Sequence, residues 1–197
     1  RPDGNLTERT AFAISEMIRR EKIDMTIDVH EASLGYPVVS TYVCHQRAED
    51  LCAMASMMRA AEQFPMKNEV SPKTLRGLTH REVGDFTDSF AVLMETPEPF
   101  IDKFAGPMTE ELMLTGRDEF VQTAAERGLL YTEYDIKTGA SLDYRVGRHL
   151  GGAAEVVKQM GEFFPAKAVR ATWPTYAEVM KHGIVYFLHD PSKADPS

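Results

Sequence analysis

Residues 24–32, Asp-Met-Thr-Ile-Asp-Val-His-Glu-Ala, constrain this chain more than any other stretch. Side chains along a strand alternate between two faces, so Ile27 and Val29 point one way and Asp28 and His30 the other. A second apolar run, Phe90-Ala91-Val92-Leu93-Met94, ends in Glu95. Both runs read as strands that finish on an ionisable side chain. In open α/β sheets, ligands bind beyond the carboxyl ends of the strands.

The segments around these strands predict an α/β sheet with helices on both faces. Thr7 is the expected cap of a helix reaching Glu21, with Leu6, Ala11, Ile14, Met17 and Ile18 on one face. A loop at Ser33–Pro37 leads to a strand at 38–43, rich in β-branched residues. A helix is expected over about 47–63. Residues 71–88, with Ser-Pro, Gly77 and Gly84, read as a long loop. Further on, the pattern gives a helix over 109–127, a strand over 129–134 and a helix over 142–163 that Ser141 caps. Short tail strands are expected near 169–173 and 184–188, with a helical turn between them.

Composition narrows the class. The chain has 197 residues, 43% hydrophobic and 26% charged, as in an ordinary globular domain. Its formal net charge is −8 and its basic residues are scattered, which argues against nucleic acid as a partner. No apolar run reaches the length of a membrane span. Cys44 and Cys52 are too few for a disulfide framework, and read as buried thiols of a reducing, cytoplasmic setting.

His30 is the leading candidate for chemistry. A carboxylate beside an imidazole, here Asp28, commonly fixes the tautomer of a metal-ligating histidine. A catalytic zinc needs about three protein ligands and one open position, and His30 alone cannot supply them. The other histidines, His45, His80, His149, His182 and His189, form no His-x-x-Glu or His-Glu-x-x-His spacing. Glu95 is the candidate general base, because a carboxylate at the end of an apolar strand is costly without a role or a partner. Arg81 can fork onto a substrate carboxylate or pair with Glu82 or Asp85. His80 and Tyr36 complete the candidate substrate-binding set.

Three segments then resemble one family. Pro2-Asp3-Gly4-Asn5-Leu6-Thr7-Glu8-Arg9, Ile27-Asp28-Val29-His30 and Ala91-Val92-Leu93-Met94-Glu95-Thr96 are similar, in order and spacing, to the succinylglutamate desuccinylase and aspartoacylase family of the zinc carboxypeptidase-like superfamily. The resemblance covers about residues 1–165. It implies a mixed, mostly parallel sheet, with 166–197 as a C-terminal extension. It also implies zinc-dependent hydrolysis of an amide in a small substrate with an anionic end. His30 matches the family's later zinc histidine and Glu95 its catalytic glutamate. The family's His-x-x-Glu pair and Asn-Arg pair precede the first segment, and this chain opens at Arg1. The expectation is therefore a C-terminal portion of a zinc hydrolase, incomplete at its N-terminus, with two Zn²⁺ ligands upstream. Such a portion leaves a sheet edge able to pair with a second copy. A catalytically inactive binding domain on the same fold is the rival, and a metal site built from His30, His45 and His80 is a third reading.

Overall fold

Asn5, not Thr7, starts the first helix. The computed structural model of the chain describes residues 2–32, 40–61, 65–97 and 141–188, and has helix α1 at Leu6–Glu21. The Asn5 side chain accepts from the Glu8 N–H, and the Glu8 carboxylate accepts from the Asn5 N–H. This reciprocal cap satisfies two donors that a helix start otherwise leaves orphaned, so the cap moves two residues upstream of the one expected. Of the expected apolar face only Ile18 is buried, while Leu6, Ile14 and Met17 stay exposed. The helix reaches the core where Ile18 meets Val83 and Ala91.

Among the described residues, four strands form one sheet in the order β1-β4-β2-β3, with β1 at Met25–Ala32, β2 at Thr41–Cys44, β3 at Lys67–Val70 and β4 at Phe90–Pro97. The Phe90 N–H donates to the Asp24 carbonyl at 2.9 Å, so β1 and β4 begin side by side and run the same way. β2 runs antiparallel to β4, with Thr41 facing Glu95 and Val43 facing Leu93. It runs parallel to β3, which it reaches through helix α2 at Glu49–Ala61. The sheet is mixed and the fold is α/β, as expected.

Alternation along the strands divides the core into two faces. Tyr42, Cys44, Val92 and Met94 share one face and are each fully buried. Helix α4, Leu142–Phe163, lies there: the Tyr42 hydroxyl donates to the Gly152 carbonyl at 2.8 Å. The Phe90 ring sits 5.2 Å from that of Phe164, just past the helix. Cys44 meets Cys52 of α2 on this side, and both thiols are free and buried. The opposite face carries Thr41, Val43, Ala91, Leu93 and Glu95, and is covered by α1 and by helix α3 at Thr79–Phe86.

Helix α3 and strand β3 correct the expectation of a loop over 71–88 and the silence before it. The buried residues of α3 are His80, Arg81, Val83 and Gly84, so its inward side is not an apolar stripe, and its start at Leu78 has no side-chain cap. β3, Lys-Asn-Glu-Val, is an edge strand with a single apolar residue. The tail strands are corrected too. Residues 169–173 are irregular, and Ile184–Phe187 is a 3₁₀ turn. There the Ile184 N–H donates to the Asp143 carboxylate at 2.7 Å instead of to a neighbouring strand. The helix over 109–127, the strand over 129–134 and the Tyr36 loop lie outside the described residues.

The chain divides into two compact units. The first comprises Arg1–Glu31, Val38–Thr96 and Gly152–Arg170, and holds most of the sheet with α1, α2 and α3. In the second, the start of α4 packs on helix α5, Tyr176–His182, with the Tyr144 and Tyr176 rings edge-on at 6.3 Å. Thr175 and Glu178 cap α5 reciprocally. Among the described residues, no helix is long and apolar enough to cross a membrane.

Candidate functional site

The register of the sheet assembles the site. Met25 begins β1 and Phe90 begins β4, and the bond from Phe90 to Asp24 holds those starts level. His30 and Glu95 are each the sixth residue of their strand, so they fall at one level of two parallel neighbours and share a face. Thr41 faces Glu95 across the other ladder. Thr41, Glu95 and His30 thus form a row across three strands, near the carboxyl ends of β1 and β4 and on the face covered by α3. Adjacent strands are spaced by about 4.8 Å, so successive side chains in the row are within reach of one another.

His30 lies on the edge strand and is half-exposed. Its Nε2 is 3.1 Å from an Asp28 carboxylate oxygen, the pairing that strand alternation predicts. Nδ1 is the ring nitrogen left for any other ligand. Glu95 is half-buried and its Oε2 is withdrawn from solvent. Thr41 is fully buried, and its hydroxyl has no hydrogen-bond partner among the described residues.

Helix α3 supplies the roof. His80 is 1% exposed, and neither ring nitrogen has a hydrogen-bond partner among the described residues. Burial pushes its imidazole below the ordinary histidine range and the Arg81 guanidinium pushes it further, while Asp28 pulls the other way. Arg81 is also buried. It donates to the Ser71 carbonyl at 3.0 Å, to Gln46 Oε1 at 2.9 Å and to Asp85 Oδ1 at 2.7 Å. Arg81 was expected in a loop with an open fork; it sits in a helix, with its Nε as the donor that has no partner among the described residues.

His45 takes no part in a metal trio. Its Nδ1 accepts from the Arg47 N–H at 3.2 Å, so Nε2 carries the proton and donates to Asp85 at 3.0 Å. Burial lowers its affinity for a second proton. Asp85, with Arg81, Arg76 and His45 around it, is held well below the usual carboxylate range. Among the described residues, no group of three or more His, Cys, Asp and Glu side chains is arranged to hold a metal.

The register therefore sets His30 level with Glu95, His80 of α3 lies near enough to feel the charges of Asp28, His30 and Arg81, and Tyr36 lies outside the described residues. Thr41 and Gln46 escaped the sequence reading, whereas Asp85 is the partner of Arg81 that it offered. Thr41 had only its place in a β-branched run to mark it, and Gln46 is marked by no motif. Comparison with known proteins yields no matching family model, no matching curated protein and no matching solved structure.

Proposed function

We propose that this chain carries the catalytic-base portion of a zinc-dependent amide hydrolase of the deacylase or carboxypeptidase type. Its substrate is an acyl-amino acid or a similar small amide with an anionic end. The observation behind the reading is the level row Thr41, Glu95 and His30 beneath α3. The residues present fit one third of a catalytic zinc site: an imidazole with its carboxylate partner and a second ring nitrogen that has no partner among the described residues. The two further ligands are those the family resemblance expects upstream of Arg1.

Zinc, when bound, supplies Lewis-acid polarisation of the amide carbonyl and acidifies water. Glu95 takes the proton from the attacking water and hands it to the departing amine. Asp28 holds the His30 ring in one tautomer. Arg81 fixes α3 through Ser71, Gln46 and Asp85 and keeps an Nε–H without a partner among the described residues, which is the donor assigned to the substrate's anionic end, and His80 and Tyr36 complete the proposed substrate-binding set. The free thiols Cys44 and Cys52 fit a reducing, cytoplasmic compartment. Edge strand β1 is where a second copy would pair.

The test is zinc content and amide hydrolysis in the protein as its gene encodes it, compared with His30→Ala and Glu95→Gln. His30→Ala should lose zinc and activity together, and Glu95→Gln should keep zinc and lose turnover. Full activity in both variants sinks the assignment. A second reading is a binding domain that keeps the fold without the chemistry. An encoded protein without a His-x-x-Glu upstream of Arg1 would select it.

A further inference from the structure

A cavity of about 730 Å³ opens at the other end of the sheet, where β1 and β4 begin. Its walls come from the last turn of α1, the turn into β1, and the segment from the end of α3 into β4. Arg19, Lys22, Arg47 and Lys167 line it. In a chain of formal net charge −8, four cations around one cavity run against the average.

The two guanidiniums are held by backbone. Arg19 Nε donates to the Phe86 carbonyl at 2.8 Å, and Arg47 Nη1 donates to the Thr87 carbonyl at 2.7 Å. These carbonyls end α3, so each arginine also answers the negative pole of that helix. One N–H of five does this work, which leaves most of each fork to a ligand, although Glu16 takes a further N–H of Arg19. Lys22 stands at the left-handed end of α1, and its ammonium has no partner among the described residues. Three carboxylates share the wall. Asp24 pairs with Lys167, and Asp85 is engaged by Arg81, Arg76 and His45, so among the carboxylates of the wall Asp88 is left to oppose Arg19, Lys22 and Arg47, with Glu16 pairing Arg19 from outside it. Ile18, Ile23 and Phe86 add an apolar patch. The volume falls in the range of small-molecule sites, above what a bare inorganic ion needs.

We propose that this cavity binds a small organic phosphate, its phosphoryl group held by Arg19, Lys22 and Arg47 and its apolar body resting on Ile18, Ile23 and Phe86. Guanidinium forks match phosphate oxygens in pairs, and three cationic heads suit a dianion better than a single carboxylate. The site lies at the opposite end of β1 and β4 from His30 and Glu95, and it stands whether or not the hydrolase reading does.

The experiment titrates the 197-residue chain with phenyl phosphate, inorganic phosphate, succinate and chloride at matched ionic strength, read by calorimetry and by amide NMR shifts. Phenyl phosphate should saturate one site more tightly than the other three, with shifts centred on 19–24 and 85–89. Arg47→Gln and Lys22→Gln should each weaken it by about tenfold or more. Arg20→Gln, on the same helix but outside the wall, should change nothing. If Arg47→Gln loses its fold along with its bond to Thr87, Lys22→Gln still decides, since no hydrogen bond of its ammonium is at stake. Absent saturation, equal binding of inorganic phosphate, succinate or chloride, or unaltered affinity in Lys22→Gln would each overturn the proposal.

Discussion

The two faces of the sheet are packed on opposite terms. Beneath α2 and α4, Tyr42, Cys44, Val92 and Met94 fill the space, and the one hydroxyl among them is bonded to the Gly152 carbonyl. Beneath α3, comparable depth is occupied by Thr41, His45, His80 and Arg81. Buried polar groups are costly unless bonded. The first face meets that condition, while the second leaves Thr41 Oγ1 and both nitrogens of His80 without partners among the described residues. A sheet that is apolar on one side and polar on the other keeps its close packing apart from the candidate site.

The same substitution made on each face should give the largest contrast. An added Cβ at Gly84 would sit 2.3 Å from the ring of His45, which Asp85 and the Arg47 N–H hold in place. Gly84→Ala should therefore cost about 3 kcal/mol or more, from overpacking and from loss of the His45–Asp85 bond. At Gly152 the contacts are Met94 Cε at 2.5 Å and Met66 Sδ at 2.7 Å, far ends of flexible side chains. Helix propensity offsets part of that crowding, so Gly152→Ala should cost about 1 kcal/mol or less. Urea denaturation of both variants measures the difference, and equal losses would break the comparison.

Tyr42→Phe sharpens it on the apolar side. It removes the hydroxyl that donates to the Gly152 carbonyl of α4 and keeps the ring, so a loss of about 1 kcal/mol is expected in the same assay. Acid provides the smallest effect, confined to the polar face. His45 takes up a proton less readily folded than unfolded, so the unfolded chain binds more protons once pH falls below 6.5. Stability from this group is complete above that pH and declines below it. Asp85 has a depressed carboxyl, so its contribution holds above 3.8 and is lost as pH falls further. Denaturation midpoints from pH 8 to pH 3 should show both declines, and His45→Asn should remove only the first.

How much was legible follows from the same division. The apolar runs announced β1 and β4, and strand alternation placed Asp28 against His30, but both strands run two residues beyond the expected ends at His30 and Glu95, to Ala32 and Pro97. The apolar face was readable because hydrophobic periodicity reports burial among apolar neighbours. The expected helix over 142–163 has those same bounds in the structure, despite its glycines. At Gly152 the missing side chain admits Met94, Met66 and the Tyr42 hydroxyl. Helix α3 was invisible because its inward residues include an arginine and a histidine, which periodicity scores as exposed. The tail misled in the opposite sense: Ile184-Val-Tyr-Phe has strand composition, but its first amide is taken by Asp143. Of the cavity below α1 the sequence showed only the basic run Arg19-Arg20 with Lys22, since Arg47 joins Arg19 there only through the carbonyls that end α3.

Turnover of an N-acyl amino acid by the protein as its gene encodes it, with and without Glu95→Gln, bears on the account most directly. A base at the end of β4 predicts a kcat lower by about 10²- to 10⁴-fold with bound zinc unchanged. An unchanged kcat in Glu95→Gln would contradict it.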